Sequence, residues 1–135
     1  MAEEKVEFEL VSPEKLLLSE AVDMVVVPGS EGDFGVLPRH APLISTVRPG
    51  VIDVHDGGQV TERIFVAGGF AEVTPERCTL LAEEAVPLAE LDRAAAEQSL
   101  RDAREDLEDA KTDQERETAE RRIAIEQAKV AAAGA

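Results

Sequence analysis

The sequence predicts two parts of different fold class, an antiparallel β-sandwich or barrel followed by a helical hairpin. All seven prolines and eight of the nine glycines lie at or before Pro87, where they separate short runs rich in Val, Leu and Ile. Frequent turns between short apolar runs are typical of antiparallel sheets packed face to face. After Pro87 the only glycine is Gly134, and small apolar residues recur at the helical period. We therefore predict a β domain over residues 1–87 and a hairpin over residues 88–135.

The first strands are predicted from their apolar patterns. Residues 6–10 alternate strictly between apolar and polar types, as expected for a strand with one buried face. Uninterrupted apolar runs predict more fully buried strands at 21–27 and 64–67. Each of these segments is bounded by turn residues, so the strands are expected to be short.

Glycine and proline predict the connections between the later strands. Residues 51–55 and 60–65 are joined by Asp56-Gly-Gly-Gln59, a hairpin connection of four residues. Thr74-Pro-Glu-Arg77 predicts a further turn before a strand at 78–83. The pair Gly68-Gly69 lies between two strand-like runs, which predicts a bulge or a close approach of two backbones.

The second part is predicted to contain two helices, at 88–111 and 112–135. Thr112-Asp-Gln-Glu115 matches a capping box, which begins the second helix after Lys111. Each helix has one apolar face, at Ala96, Leu100, Ala103, Leu107 and Ala110 in the first and at Ala119, Ile123, Gln127 and Val130 in the second. Two helices joined by a tight turn lie antiparallel. Because alanines bury little area, the hairpin can be either permanently docked or able to leave its docked position.

The charge of the protein excludes some classes of partner. The formal net charge is −15, so bare nucleic acid and anionic lipid would be repelled. The acidic N-terminus does not have the basic and then apolar pattern of a signal peptide. No window has the roughly 18 apolar residues of a membrane helix, so membrane association is expected only through partners.

No catalytic or metal site is predicted. Cys78, the single cysteine, lies in an apolar strand-like run and is expected to be buried and structural. His40 and His55 lack a second ligand at metal spacing. The sequence has no G-x-x-x-x-G-K-S/T, H-E-x-x-H or G-x-G-x-x-G motif, and no serine in a nucleophile elbow. With 29 Asp and Glu residues, the proximity of any two carboxylates is weak support for acid–base chemistry.

Several motifs together resemble one known family. The most informative is Pro-Gly-Ser-Glu-Gly-Asp-Phe-Gly-Val-Leu-Pro-Arg-His-Ala-Pro-Leu at 28–43. Its prolines restrict the backbone and its glycines permit tight turns, so the loop is expected to hold one exposed contour. Further motifs, in the same order as in the family, stand at 8–14, 48–50, 67–73 and 79–83. Over its whole length the protein resembles the epsilon subunit of F-type ATP synthases, which is called delta in mitochondria.

The resemblance implies a fold, a role and partners. The fold is a flattened antiparallel β-sandwich of about ten strands followed by a C-terminal helical hairpin. The role is that of a non-catalytic central-stalk subunit, which couples the gamma subunit to the c-ring for proton-driven ATP synthesis. The implied place is the cytoplasmic face of the bacterial inner membrane, as a peripheral subunit.

The resemblance also implies site residues. The c-ring interface corresponds to Glu31, Gly32 and Asp33, whose carboxylates can pair with basic or amide groups on the loops of the ring. The gamma interface corresponds to Arg39, His40 and Pro42. From the residues alone, Glu31 and Asp33 can also be simple turn residues.

Some members of the family bind ATP on the hairpin through Ile or Leu, Asp, two variable residues, Arg and Ala. Leu91, Asp92 and Ala96 match this pattern, but Ala95 stands at the arginine position. Arg93 cannot replace that arginine, because two residues along a helix correspond to about 200° of rotation. We therefore expect no nucleotide and no other cofactor.

In several relatives the hairpin also brakes ATP hydrolysis by contacting an acidic segment of the catalytic beta subunit. Residues 88–135 contain 8 basic and 13 acidic residues, so such a contact is expected to be weak here. Two alternatives from other classes remain. One is a stand-alone β-sandwich sensor whose hairpin responds to a ligand. The other is a hydrolase that uses Glu31 and Asp33.

Overall fold

A computed structural model describes residues 4–134 of the protein, and residues 1–3 and 135 of the two predicted domains lie outside the described residues. The fold divides into two compact units between Pro87 and Leu88. Within the described part, the first unit contains ten strands. They are β1 (Val6–Val11), β2 (Leu16–Val22), β3 (Met24–Gly29), β4 (Gly32–Val36), β5 (Leu43–Val47), β6 (Gly50–Asp56), β7 (Gln59–Val66), β8 (Gly69–Val73), β9 (Arg77–Ala82) and β10 (Ala85–Pro87).

The ten strands form one sheet that curls around a single aliphatic core. The strand order is β10-β7-β6-β3-β5-β8-β9-β1-β2, and β4 pairs with β3 outside this path. All pairs are antiparallel except β1 with β9. Side chains from distant strands, such as Phe8, Val25, Ile52 and Leu80, are fully buried in one cluster. The predicted antiparallel β-sandwich is therefore confirmed.

Two glycine pairs explain turns that the sequence predicts. Asp56 pairs with Gln59, so the β6–β7 connection contains only Gly57 and Gly58, both with left-handed φ values of 64° and 80°. This geometry suits a type I′ hairpin turn and needs two residues instead of the four expected. At Gly69 a Cβ atom would lie 1.9 Å from the carbonyl oxygen of Leu81. The predicted close approach of two backbones is therefore confirmed there.

The predicted strand at 21–27 is wrong, because the structure divides this run into β2 and β3 at Asp23. The Asp23 carboxylate accepts hydrogen bonds from Lys5 Nζ at 2.6 Å and from the backbone N–H of Gly57 at 2.8 Å. Lys5 also donates to Asp56 at 2.7 Å. These hydrogen bonds raise the pKa of Lys5 and lower that of Asp23. Asp23 thus interrupts the apolar run because its carboxylate is bonded to two distant residues, Lys5 and Gly57.

Cys78 lies fully buried on β9. Burial raises the pKa of its thiol to about 12, so the thiolate does not form at neutral pH. The structural role predicted for this cysteine is confirmed.

The second unit begins with a short 3₁₀ turn at Leu88–Glu90 and continues with α1 (Arg93–Asp109) and α2 (Asp113–Ala133). The Thr112 hydroxyl accepts from the backbone N–H of Glu115 at 3.0 Å, so the predicted cap of α2 is confirmed. On α1 the residues Ala96, Leu100 and Ala103 are buried as expected. Ala110 instead follows the helix as its C-terminal cap, because its backbone is extended.

The predicted apolar face of α2 is wrong at one position. Gln127 is exposed, and the neighbouring Glu126 is buried instead. One residue along a helix is a rotation of about 100°, so only one of the two can occupy the buried side. Glu126 is stabilised there by Lys129, whose Nζ lies 3.6 Å from its carboxylate.

β2, the last strand of the order, approaches β7 near the other end at a pair of carboxyl groups. Glu20 on β2 and Glu62 on β7 each bury one oxygen that has no hydrogen-bond donor among the described residues. A proton on Glu20 supplies such a donor: the resulting hydrogen bond with Glu62, burial, and repulsion from Glu62 and Asp56 raise the pKa of Glu20 to about 7. One proton shared between the two carboxyl groups would satisfy both oxygens.

This pair predicts that stability falls as the pH rises. The folded protein holds a proton that the unfolded protein releases, because the pKa of Glu20 is raised from 4.5 to about 7. The contribution is therefore complete below about pH 4.5 and is lost as the pH rises through about 7. Glu20→Gln removes this dependence, because an amide donates to Glu62 at every pH.

The measurement is the melting temperature across a pH series. Between about pH 5 and about pH 8 we expect the unaltered protein to lose about 4 °C relative to Glu20→Gln. Glu14→Gln, in the exposed β1–β2 turn, is the matched control and should follow the unaltered protein. Parallel pH profiles for the unaltered protein and Glu20→Gln would contradict the shared proton.

Candidate functional site

The residues expected at the c-ring interface lie in the β3–β4 turn. Gly29 pairs with Gly32, so the turn itself consists of Ser30 and Glu31. Gly32 has a φ of 132°, which strains any other residue. A Cβ atom on Gly29 would lie 2.8 Å from the Gly32 carbonyl oxygen. The two glycines therefore permit a narrow turn, and Glu31 lies exposed at its tip.

The predicted loop at 28–43 is thus mostly a hairpin, because β4 occupies residues 32–36. An open groove of about 450 Å³ lies between this hairpin and the first residues of β5. The backbone N–H of Ser30 donates to the Thr46 carbonyl at 2.9 Å, which ties the turn to the end of β5. The turn is therefore attached to a neighbouring strand as well as to its own.

Arg48 makes three hydrogen bonds at the base of the turn. Its Nη2 donates to Asp33 Oδ1 at 2.6 Å, and its Nη1 donates to the Gly29 carbonyl at 2.5 Å. Its backbone N–H donates to the Pro28 carbonyl at 2.9 Å. Asp33 is therefore paired within the protein, whereas the Glu31 side chain has no partner among residues 4–134.

The residues expected at the gamma interface lie in the β4–β5 connection. Arg39 has a left-handed φ of 67°, donates from its backbone N–H to the Pro75 carbonyl at 2.7 Å, and forms an ion pair with Glu4. The ring Nδ1–H of His40 donates to the Ala41 carbonyl at 2.6 Å. Pro42 is exposed just before β5. These hydrogen bonds give the connection a defined backbone shape.

The two groups of residues lie at opposite ends of the sandwich. β4 runs away from the β3–β4 turn, since Gly32 pairs with Gly29 and Val36 with Val25. The β4–β5 connection therefore begins at the far end, where Arg39 bonds to the β8–β9 turn at Pro75. The structure does not bring the two groups together into one pocket.

The hairpin residues of the nucleotide pattern have structural roles. Asp92 caps α1, since its Oδ1 accepts from the backbone N–H of Ala95 at 3.1 Å. Ala96 is buried, and Leu91 is half-buried after the 3₁₀ turn. Arg93 Nε donates to Glu97 Oε1 at 2.9 Å, one helical turn further on. Arg93, at a variable position of the pattern, is therefore paired within α1.

Among residues 4–134 no three His, Cys, Asp or Glu side chains form a cluster that could hold a metal ion. In the same part of the protein, no helix has the length and apolar character needed to cross a membrane.

Arg48 is a residue that the sequence reasoning missed as part of the site. It is 15 positions from Asp33, and no periodicity links the two residues. The sequence offered one signal. Arg48 is a single cation next to a proline and a glycine, and it follows a turn with two carboxylates. The pair Glu20 and Glu62 was missed because the curl of the sheet joins residues on β2 and β7.

The protein is similar to known proteins over nearly its whole sequence. Residues 5–88 match the β-sandwich domain of the ATP synthase delta/epsilon chain family, and residues 92–135 match the C-terminal domain of the ATP synthase epsilon chain. The ATP synthase epsilon chain of Rhodospirillum rubrum is 58% identical over 129 residues, which cover 96% of each of the two proteins.

Two solved structures are similar to the described fold. One subunit of the Euglena gracilis mitochondrial ATP synthase, solved as OSCP/F1/c-ring, has a TM-score of 0.81 at 27% identity. That alignment covers 95% of this protein and 81% of the other. A subunit of the Tetrahymena thermophila mitochondrial ATP synthase central stalk and c-ring has a TM-score of 0.73. At 14% identity, covering 98% and 99% of the two proteins, it is similar in fold alone.

We predict that ATP at millimolar concentration leaves the protein unchanged. The reason is that Ala95 offers no cation to phosphate, while Arg93 is paired with Glu97. Isothermal titration calorimetry is the measurement, and Ala95→Arg, which restores the family pattern, is the comparison variant. A dissociation constant below about 1 mM for the unaltered protein would contradict the prediction.

Proposed function

Because the protein belongs to the ATP synthase epsilon chain family, we propose that it is the non-catalytic central-stalk subunit that joins the gamma subunit to the c-ring. Proton-driven rotation of the ring then turns the stalk, and this subunit transmits torque without bond chemistry. The observation that carries the proposal is that the two candidate interfaces lie at opposite ends of one sandwich.

Torque transmission requires a stiff body between two partners. Close-packed protein interiors have low compressibility and transmit strain. Phe8, Ile52 and Leu80 are fully buried in this core, and every strand of the sheet is hydrogen bonded to a neighbour. The sandwich therefore supports a rigid link between its two ends.

At one end, the c-ring is the proposed partner of Glu31, Gly32 and Asp33. Glu31 is the carboxylate that stands exposed and unpaired at the tip of the turn, among the described residues. A carboxylate in this position can accept hydrogen bonds from basic or amide groups on the polar loops of the ring. Gly32 lets the backbone of a partner approach closely, because it has no side chain.

At the other end, the gamma subunit is the proposed partner of Arg39, His40 and Pro42. The same connection leaves Leu37 and Leu43 exposed on either side of these residues. Apolar side chains beside a basic residue on a rigid backbone are typical of a surface that is covered in an assembly. These exposed apolar side chains support the proposed gamma interface on this connection.

An exposed apolar stripe continues from this connection across the outer face of the sheet. We call Ile44, Phe70, Leu81 and Leu16 the outer stripe; they are 70%, 55%, 42% and 54% exposed, respectively. The strand register places them on one face. Ile44 pairs with Glu72, which shares a face of β8 with Phe70, and Phe70 pairs with Leu81, Leu81 with Val11 and Val11 with Leu16. We propose that the gamma subunit covers the outer stripe, because contiguous exposed apolar surface marks interaction sites.

The proposed place of the protein is the cytoplasmic face of the bacterial inner membrane, where its partners hold it. A weak regulatory role is proposed for the hairpin, through the alpha and beta catalytic subunits. Its net charge of −5, from 8 basic and 13 acidic residues, opposes a contact with an acidic beta segment.

The c-ring contact predicts the effect of one charge reversal. Glu31→Lys should weaken binding to a purified, detergent-solubilised c-ring by about tenfold or more, which corresponds to about 1.4 kcal/mol. The isolated subunit should remain folded, because a charge reversal in an exposed turn changes stability by about 0.5 kcal/mol or less. Biolayer interferometry with an immobilised ring measures the binding, and a thermal melt measures the fold.

Glu76→Lys is the matched control, because Glu76 is an exposed acidic turn residue at the opposite end of the sandwich. It changes the net charge by the same amount and should leave ring binding unaltered. If Glu31→Lys and Glu76→Lys weaken ring binding equally, the effect comes from net charge alone. The assignment of this turn to the ring would then be wrong.

Removal of the hairpin is expected to raise ATP hydrolysis of the assembled complex by about threefold or less at low salt. Repulsion limits the braking contact, and salt screens exposed charges beyond about 10 Å at 0.1 M. Any residual braking should therefore strengthen as the ionic strength rises. The measurement is hydrolysis by the intact complex and by a complex truncated after Pro87, across a salt series.

A triple variant, Glu105→Lys, Glu108→Lys and Asp109→Lys, tests the electrostatic cause. It makes the exposed side of α1 basic and should brake hydrolysis more strongly than the unaltered hairpin. Tenfold activation on truncation at low salt would show strong inhibition by an acidic hairpin, and the weak regulatory role would then be wrong.

A further inference from the structure

Arg48 occupies a position from which it controls both the shape and the charge of the β3–β4 turn. We infer that Arg48 is the residue that positions this turn for the ring, by pairing with Asp33 and leaving Glu31 as its one outward carboxylate. This inference rests on the proposed function, because it names the ring as the partner of the turn.

The contacts of Arg48 join three separate points of the hairpin. The guanidinium bonds to the last residue of β3, Gly29, and to the second residue of β4, Asp33, at 2.5 and 2.6 Å. The backbone N–H of Arg48 holds Pro28 at 2.9 Å. Because β3 and β4 are linked by a single side chain from the β5–β6 connection, the turn cannot tilt without breaking these hydrogen bonds.

The turn needs an external support because its own sequence offers little stiffness. It contains glycine on both sides of Ser30 and Glu31, and glycine restricts the backbone less than any other residue. One further tie is the hydrogen bond from the Ser30 N–H to the Thr46 carbonyl at 2.9 Å. Arg48 and Thr46 lie on the same stretch of sequence, so β5 and its extension support the turn from one side.

The ion pair also sets the charge of the turn. Without Arg48, Glu31 and Asp33 would present two negative charges two residues apart. The Arg48 guanidinium compensates Asp33, so a single uncompensated carboxylate remains at the tip. A partner with one basic or amide group in register with Glu31 would then be favoured over a surface that attracts negative charge in general.

This role differs from a stabilising role. The Arg48 and Asp33 side chains are 43% and 61% exposed, and exposed ion pairs add little to the stability of a fold. An arginine can bond to a carboxylate and a carbonyl at once, whereas a lysine has a compact charge and no planar fork. Loss of Arg48 should therefore disorder the turn and weaken binding while the sandwich stays folded.

The test uses the full-length protein and a purified, detergent-solubilised c-ring. Binding is measured by biolayer interferometry, and exchange of the Ser30 amide hydrogen is measured by NMR. The variants are Arg48→Ala, Arg48→Lys and Asp33→Asn, with Glu31→Gln as the variant that removes the outward charge alone. Arg63→Ala is the matched control, because Arg63 is an exposed arginine paired with Asp53 on neighbouring strands of the same sandwich.

We expect Arg48→Ala to speed exchange of the Ser30 amide by about tenfold, to weaken ring binding by about tenfold and to leave the melting temperature within about 3 °C. Asp33→Asn and Arg48→Lys should shift both quantities in the same direction by smaller factors. Adding Asp33→Asn to Arg48→Ala should cause no further loss, because the two residues act as one pair. Arg63→Ala should match the unaltered protein in both measurements.

The outcomes distinguish failure of the positioning role of Arg48 from failure of the ring interface at this turn. If Glu31→Gln weakens ring binding and Arg48→Ala does not, the positioning role of Arg48 is overturned and the ring interface stands. If Ser30 exchanges at the unaltered rate in Arg48→Ala, the positioning role is likewise overturned. If neither Glu31→Gln nor Arg48→Ala changes ring binding while Ser30 exchanges faster in the latter, the assignment of this turn to the ring fails.

Discussion

The parallel pairing of β1 with β9 is the interaction on which the rest of the sandwich depends. It joins the first strand of the fold to the ninth, with Phe8 opposite Cys78 and Leu10 opposite Leu80. All other strand pairs are antiparallel. Without this ladder the hairpin of β1 and β2 would be separate from the strands that follow, and Phe8 and Leu10 would lose their place in the core. The carboxyl pair Glu20 and Glu62 lies where β2, at the end of this path, approaches β7.

Closure of the sheet in this way gives the molecule two ends with different chemistry. One end has the β3–β4 turn, and the other has the β4–β5 connection, which bonds to the β8–β9 turn. A subunit that joins two partners needs such separation, because one surface cannot be covered by both. Among the described residues, the core cluster between the ends consists of aliphatic side chains, Phe8 and the Cys78 thiol. The mechanical role that we propose therefore rests on the fold, and the proposed choice of partners rests on the residues at its ends.

Local features of the fold could be predicted from the sequence, and features that depend on distant residues could not. Gly57 and Gly58 predict a hairpin because the turn needs left-handed φ values that glycine adopts freely. Asp23 interrupts an apolar run because of Lys5 and Gly57, which only the folded sheet brings near. Of the candidate site, the turn around Glu31 was evident from its glycines. Its support by Arg48 was not, since that contact depends on how β5 leaves the sheet.

The distribution of ion pairs explains how an acidic protein can still make a specific contact. Five of the six Lys and Arg residues in 1–87 pair with carboxylates among the described residues: Lys5, Arg39, Arg48, Arg63 and Arg77. Each pair compensates the negative charge of a carboxylate at a defined position on the surface. The carboxylates that remain, Glu31 among them, are then the groups that a basic or amide partner can distinguish. In a protein with a net charge of −15, specificity thus arises from which carboxylates are compensated internally, because attraction to the total charge would not select one end of the sandwich.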